Sequence, residues 1–230
     1  MSRRPKPSGR KKKAGPRSSP TNRMRPERRR KILVVTEGEL TGPQYLERLH
    51  QYIKDRDFNL DIRPRPRKKG TGQWTSNPEA VVKKCVELKA EQERTATNSH
   101  GDEVPYEQCF AVVDVDRWDE ATPGGRSKLE RALRAAKEHG IKVVVSNLKF
   151  ETWLVWHAED KSYRTSKQLD DACRRLKLLS GKNITASFPI ENFTVASNRA
   201  LGAHATRLSA VGPNPSTSMP AFLRILNIVK

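Results

Sequence analysis

Apolar residues occur in short continuous runs, separated by longer stretches in which they recur at helical spacing. Four runs predict strands: Lys31–Thr36, Phe58–Arg65, Gln108–Val113 and Ile141–Ser146. Unbroken apolarity, as in Gln108–Val113, is typical of a strand covered on both faces. Strands that alternate with helices predict an α/β fold with a mostly parallel sheet of about four strands and right-handed crossovers.

Helical spacing fills the segments between these strands and most of the C-terminal third. The predicted helices are Pro43–Arg56, Asn77 to about Arg94, Gly125–His139, Phe150–His157, Ser166–Leu179, Thr194–Leu208 and Pro220–Val229. The pattern therefore predicts one α/β domain over residues 31–230, with its core in 31–160 and a helical C-terminal part in 161–230.

Two of the predicted strands run directly into acidic residues. Glu37 and Glu39 follow the first strand, and Asp114 and Asp116 follow the third. The carboxyl ends of parallel strands open onto one edge of a sheet, so we expect these acids to meet. Asp114 and Asp116, two apart on an extended backbone, should point the same way and could serve one hard divalent cation.

The residues alone also allow a structural role for these acids in place of metal binding. Short Asp-x-Asp pairs such as Asp114 and Asp116 often only cap a strand or turn. Glu39 could instead favour the positive end of the helix that follows it.

The charge of the 230-residue chain is strongly basic, with 45 Lys and Arg against 26 acids and a net charge of +19. Such an excess indicates a polyanionic partner, and nucleic acid is the favoured candidate. Residues 1–30 contain 13 of the basic residues and one acid, with almost nothing apolar to bury. They predict a disordered basic tail, either a nucleic-acid arm or a solubilising extension.

A second basic stretch follows the second predicted strand and contains Arg65, Arg67, Lys68 and Lys69. Its expected place beside the acids favours contact with nucleic-acid phosphates over a merely solvated charge run.

Several other classes of protein are disfavoured. No apolar run approaches the roughly 20 residues that span a bilayer, and no apolar segment follows the basic start as in a secretory signal. The phosphate-binding Gly-x-x-x-x-Gly-Lys-Ser/Thr motif is absent, which argues against nucleotide hydrolysis. The cysteines, Cys85, Cys109 and Cys173, lack metal spacing and predict buried thiols in a reducing cytoplasm.

Four segments together resemble the RloB family, whose core is a Toprim-like domain. They are Lys31–Glu39 with Pro43 and Tyr45, Val113–Asp116, Ser146-Asn147 followed by Phe150-Glu151-x-Trp153-Leu154 and His157, and Asn214–Thr217. They appear in the family's order and span nearly everything after the tail. The chain departs from the family where Leu148, Lys149 and Thr152 replace Pro, Cys and Leu.

The resemblance implies a Rossmann-like Toprim fold in which Glu37, Asp114 and Asp116 bind Mg²⁺ or Mn²⁺. It raises Glu151 as a further metal ligand, against the alternative that Glu151 caps its helix. His157 would be a proton donor or phosphate contact, or would simply pack against Trp153. Similar proteins are linked to prokaryotic anti-phage defence, often with a partner ATPase, and some Toprim nucleases in such systems cut DNA whereas others cut tRNA.

We therefore expect a metal-dependent nuclease acting on DNA or RNA. A non-catalytic nucleic-acid-binding or regulatory subunit on the same fold is the main alternative, and an enzyme of nucleotide metabolism is a third. The sequence leaves the oligomeric state, including an oligomer, open.

Overall fold

The computed structural model of the chain describes residues 29–53, 57–67, 69–72, 74, 77–99, 102–121 and 125–229. The predicted tail over residues 1–30 thus lies outside the described residues except for its last two, and Arg30 already belongs to the first strand. Lys68 of the predicted basic stretch also lies outside the described residues.

Strands and helices alternate as expected through the first two thirds of the chain. The strands are β1 (Arg30–Thr36), β2 (Phe58–Arg63), β3 (Gln108–Asp114), β4 (Lys142–Asn147), β5 (Leu179–Ser180), β6 (Asn183–Ile184) and β7 (Ser216–Thr217). The helices are α1 (Thr41–Tyr52), α2 (Pro78–Asn98), α3 (Lys128–Glu138), α4 (Glu151–Ala158), α5 (Ser166–Arg175), α6 (Phe193–Ala203) and α7 (Met219–Ile225). A 3-10 turn, Ile190–Asn192, precedes α6.

The main sheet has five strands in the order β2-β1-β3-β4-β7. The first four are mutually parallel, which confirms the predicted α/β fold and its mostly parallel sheet. The fifth strand, β7, is antiparallel to β4 and was not predicted. It has only two residues, and Thr217 Oγ1 lies 2.9 Å from Ser146 Oγ, so side-chain bonding supplements its short ladder.

Alternating residues of the central strands enter two separate hydrophobic layers. Ile32 and Val34 pack on the side of α1, α4 and α7, whereas Leu33 and Val35 pack on the side of α2 and α3. Because both faces of β1 and β3 are covered, each strand is an unbroken apolar run. The edges of such a sheet are left for polar side chains.

The helix ends follow local chemistry. Ser127 and Glu130 form a reciprocal capping box at the start of α3, and the Asn77 side chain accepts the Ala80 backbone N–H at the start of α2. In the part of the chain that the structure describes, no helix is both long enough and apolar enough to cross a membrane.

Several predicted helix boundaries are wrong. Helix α3 begins at Lys128 rather than Gly125, and α7 ends at Ile225 rather than Val229. Helix α2 continues to Asn98 rather than ending near Arg94, and α6 ends at Ala203 rather than Leu208. Helix α5 ends at Arg175, because Lys177 adopts a left-handed conformation at φ +54° that a helix cannot continue. Leu179, predicted as the last helical residue, instead pairs with Ile184 in the β5–β6 hairpin.

Candidate active site

A cleft of about 650 Å³ opens at the carboxyl edge of the parallel strands. Four carboxylates line it: Glu37 and Glu39 after β1, Asp114 at the end of β3, and Glu151 at the start of α4. The sheet topology therefore brings together the acids for which the sequence predicted a common edge. We call this cavity the acidic cleft.

Glu37 is held in place from both sides. Its backbone N–H donates to Val112 O at 2.9 Å, and the next residue, Gly38, turns the chain away at φ +80°. Its Oε2 accepts the Asp114 backbone N–H at 3.2 Å, and its Oε1 accepts the Trp118 indole N–H at 3.1 Å. Burial raises the pKa of Glu37 to about 7, although both hydrogen bonds oppose the rise.

Asp114 is the most strongly perturbed acid of the cleft. Burial raises its pKa well above the ordinary value, and the negative charges of Glu151 and Glu37 raise it further. The backbone N–H of Phe150, at the start of α4, donates to Asp114 and partly offsets this effect. The carboxylate of Asp114 thus lies among like charges and joins no ion pair among the described residues, although the ammonium of Lys149, which is paired with Asp170, acts on it through space.

Glu151 is the first residue of α4, and its carboxylate accepts its own backbone N–H. Burial raises the pKa of Glu151, while the ammonium groups of Lys149 and Lys182 lower it. The helix-capping alternative and the metal-ligand prediction are therefore compatible, since the carboxylate that satisfies the helix start also lines the acidic cleft.

Asp116 is placed differently from what its spacing predicted. Strand β3 ends at Asp114, and Asp116 lies at φ +35° with its backbone N–H donating to Leu148 O at 3.1 Å. The expectation of an extended Asp114-Val115-Asp116 segment is therefore wrong, because the chain turns at its last residue. Asp116 is exposed and does not line the acidic cleft, yet it is close enough to raise the pKa of Glu37 and Asp114.

Glu39 does not cap α1, which begins without a side-chain cap. Its carboxylate instead accepts the Thr71 hydroxyl at 2.6 Å and the backbone N–H groups of Thr71 and Gly72, the latter at 3.2 Å. These hydrogen bonds, the Thr71 hydroxyl first, lower the pKa of Glu39. Glu39 therefore fastens the loop that follows β2 against the rim of the acidic cleft.

The basic residues of the loop after β2 were predicted to lie beside the acids. Arg65, Arg67 and Lys69 are exposed, but none of them lines the acidic cleft. Among the described residues of the loop, Gly70, Gly72 and Trp74 line the cleft. The predicted phosphate strip is adjacent to the acids and not among them.

His157 lies in the hydrophobic core with no exposed surface. Its Nδ1 donates to Pro189 O at 3.1 Å, so its Nε2 accepts from the Tyr45 hydroxyl at 3.2 Å. Burial lowers its pKa to about 4, so the ring is neutral at pH 7. With the Trp153 ring centroid 5.1 Å away, this placement favours the packing alternative over contact with a substrate.

Sequence reasoning missed three residues of the site. Lys149 and Lys182 line the acidic cleft, and Trp118 orients Glu37. Lys149 could have been noticed, because it stands beside Glu151 where the family has Cys. Lys182 could not, because it follows the predicted helix Ser166–Leu179 and nothing in its spacing places it beside α1.

The arrangement of the acids supports a partial metal site and not a complete one. Among the described residues, no group of three or more His, Cys, Asp or Glu side chains is arranged to hold a metal ion. Magnesium, however, is usually held by one or two carboxylates together with water and substrate phosphates. Asp114 and Glu151, half-buried and mutually repelling, fit such a partial ligand set, whereas the described residues form no closed cage of three carboxylates.

The fold and the site together define an α/β protein with an acidic cleft at the carboxyl edge of a mostly parallel sheet. A family model described as RloB-like protein matches residues 32–226, and the chain belongs to this family. Neither the curated proteins nor the solved structures gave a match.

Proposed function

We propose that this protein is a metal-dependent, Toprim-like nuclease that hydrolyses phosphodiester bonds of DNA or RNA, with tRNA among its candidate substrates. The observation that carries this proposal is the convergence of Glu37, Asp114 and Glu151 on one cleft where burial raises the pKa of each. Perturbed carboxylates gathered in a cleft are typical of catalytic and metal sites.

Asp114 and Glu151 would hold Mg²⁺ or Mn²⁺, with Asp116 as the third predicted ligand from the turn beside them. The cation would supply charge stabilisation at the transferring phosphoryl group and lower the pKa of bound water. Asp114 lies deepest among like charges, so its carboxylate has the most to gain from a bound cation.

Glu37 is suited to act as the general base. Its pKa of about 7 lets it accept a proton from the attacking water at neutral pH. Its hydrogen bonds from the Trp118 indole and the Asp114 backbone fix the orientation of the carboxylate before substrate arrives. A base that is held in this way needs no rearrangement during the reaction.

The family resemblance also leads us to propose a role in prokaryotic anti-phage defence with a partner ATPase. Regulation by a partner would restrain a nuclease that could damage its own host. The three cysteines are free and buried, which is compatible with work in the reducing cytoplasm.

A digestion assay tests the nuclease proposal. Purified protein, alone and with the product of any neighbouring ATPase gene, is incubated with plasmid DNA, single-stranded DNA, total RNA and tRNA in Mg²⁺, Mn²⁺ or EDTA. Metal-dependent cleavage of at least one substrate by the wild type, lost in Asp114→Asn, is the expected result. Cleavage by Asp114→Asn at the wild-type rate would contradict the proposal.

A non-catalytic nucleic-acid-binding or regulatory subunit is the second candidate. It is favoured by the missing three-ligand arrangement among the described residues and by the engagement of both Glu37 carboxylate oxygens in hydrogen bonds. Wild-type protein that binds nucleic acid, yet cuts none of the four substrates in any metal with or without the ATPase, would select this candidate.

A further inference from the structure

The β5–β6 hairpin forms one wall of the acidic cleft although it is remote from it in sequence. Leu179 pairs with Ile184 and Ser180 pairs with Asn183, and the turn between them consists of Gly181, at φ +60°, and Lys182. Lys182 is exposed and lines the acidic cleft.

Helix α1 fixes the turn of this hairpin. The hydroxyl of Thr41, the first residue of α1, donates to the backbone carbonyl of Lys182 at 2.8 Å. One turn further along, Gln44 donates to Asn183 Oδ1 at 2.7 Å and accepts the Ile184 backbone N–H at 2.9 Å.

Arg48, one turn further again, binds the strand that leaves the hairpin. Its guanidinium donates to the backbone carbonyls of Ile184, at 3.0 Å, and Thr185. Three successive side chains on one face of α1 thus form hydrogen bonds with about four consecutive residues of the hairpin and the chain that leaves it. Since α1 begins beside Glu37, these hydrogen bonds fix the position of Lys182 relative to the acids.

The two lysines of the acidic cleft differ in their partners. Lys149 Nζ is paired with Asp170 Oδ1 at 2.7 Å, and its side chain is 19% exposed. Lys182 joins no ion pair among the residues that the structure describes, and its ammonium acts on Glu151 only through space. Its charge is therefore free to bind an anion that enters the cleft.

We infer that Lys182 is a substrate-binding residue, held by α1 and the β5–β6 hairpin so that its ammonium contacts a phosphate of the nucleic acid beside the carboxylates of the acidic cleft. This inference rests on the proposed function and extends it to a specific contact. A cleft with four acids repels a phosphodiester, and a lysine on its wall supplies a compact point charge against that repulsion.

A merely structural role is the competing explanation, in which Lys182 only offsets the charge of Glu151 or closes a turn. Neither role involves release of counterions from nucleic acid. The dependence of nucleic-acid affinity on salt concentration separates the explanations, because each lost phosphate contact flattens the slope of log affinity against log salt by about 0.7 for a single strand.

The experiment compares wild type, Lys182→Ala, Lys182→Arg and Lys167→Ala, a control that removes one exposed lysine of α5. Affinity for a single-stranded oligonucleotide is measured over a salt series at fixed Ca²⁺, and cleavage of the best substrate is measured in Mg²⁺ or Mn²⁺. We expect a slope about 0.7 flatter in Lys182→Ala alone and cleavage reduced on the order of 10²-fold. Lys182→Arg should keep the wild-type slope and part of the cleavage.

Two outcomes overturn the inference: a Lys182→Ala slope equal to that of Lys167→Ala, and wild-type protein that binds no oligonucleotide. If the wild type cuts nothing but Lys182→Ala still flattens the slope, the phosphate contact stands and the nuclease proposal fails. Lys182 is exposed, so thermal unfolding at the wild-type temperature serves as the check that all variants fold.

Discussion

Two polar clefts of nearly equal size lie on this sheet, and the pKa of a half-buried aspartate is raised in one and lowered in the other. The acidic cleft, about 650 Å³, contains Asp114. The other, about 630 Å³, lies beside the edge strand β2 and contains Asp61. The pKa of Asp114 is raised and that of Asp61 is lowered, although burial by itself would raise both.

The two pKa shifts differ in direction because the two aspartates have different hydrogen-bonding and charged neighbours. Asp61, with a side chain 12% exposed, accepts hydrogen bonds from the Tyr106 hydroxyl and from Arg63 at 2.9 and 3.2 Å, and Arg65 lies 3.8 Å away. These partners outweigh burial. Among the described residues Asp114 joins no ion pair, and a backbone N–H and the through-space charge of Lys149 oppose the charges of Glu151 and Glu37.

Burial of an acid is therefore not what marks the candidate site. The β2 cleft has its charges matched and is a structural ion-pair network. The acids of the acidic cleft are only partly compensated by Lys149 and Lys182, which a folded protein tolerates where a cation or substrate completes the site. Four changes test this contrast.

The largest expected effect is on cleavage. Asp114→Asn removes the carboxylate that has most to gain from a bound cation and should lower kcat on the order of 10³-fold. Asp61→Asn should leave kcat within about threefold of wild type, because it removes no group of the acidic cleft. Initial rates under saturating substrate measure both, and equal losses in the two variants would erase the functional distinction between the clefts.

The variants Asp61→Asn and Asp114→Asn should change the free energy of unfolding in opposite directions. Asp61→Asn leaves Arg63 without its carboxylate and should cost about 2–3 kcal/mol of unfolding free energy. Asp114→Asn relieves a repelled, half-buried charge and should stabilise the metal-free protein by about 1 kcal/mol at pH 8. Denaturant unfolding in EDTA gives both values, and destabilisation by Asp114→Asn would show that its carboxylate is satisfied within the fold.

The next effect concerns pH. With the pKa of Glu37 raised to about 7, the folded protein keeps this proton in a range where the unfolded chain has lost it. The contribution of Glu37 to stability therefore falls as pH rises from about 4.5 to about 7 in the metal-free protein.

A cation that binds beside ionised Glu37 must displace that proton. Apparent Mn²⁺ affinity should consequently rise about tenfold between pH 6 and pH 8 in the wild type. Glu37→Gln, which has no proton to release, should show a flatter dependence in the same calorimetric titrations. An identical pH profile in both proteins would remove Glu37 from the cation site.

The smallest expected effect concerns the loop after β2. Glu39→Gln weakens the acceptor that holds Thr71 and Gly72, so the basic residues of the loop lose a fixed position. Oligonucleotide affinity should fall roughly threefold, with Glu138→Gln on the far end of α3 as the charge-matched control. Fluorescence anisotropy measures the oligonucleotide affinity. Equal affinities for Glu39→Gln and Glu138→Gln would show that Glu39 does not organise the basic residues of the loop after β2.

Much of the core could be predicted from the sequence because local pattern and burial coincide there. The runs at β1, β3 and β4 are apolar on both faces, and both faces are covered in the fold. Placement of Glu37 and Asp114 at one edge then followed from parallel topology alone.

The remaining parts depend on backbone turns that carry no clear composition signal. Lys177 and Asp116 are non-glycine residues with positive φ, so neither the end of α5 nor the turn after β3 could be read from residue type. Lys182 reaches the cleft only through contacts with α1 about 140 residues earlier in the chain. Long-range contacts of this kind leave no periodicity to detect.

Mn²⁺ binding tests the contrast between the two clefts most directly. Calorimetric titration at pH 8 should show one cation bound by the wild type and by Asp61→Asn, with affinity at least tenfold weaker in Asp114→Asn. Equal Mn²⁺ binding by all three proteins, or none by the wild type, would contradict the account that the partly compensated carboxylates of the acidic cleft hold a catalytic metal.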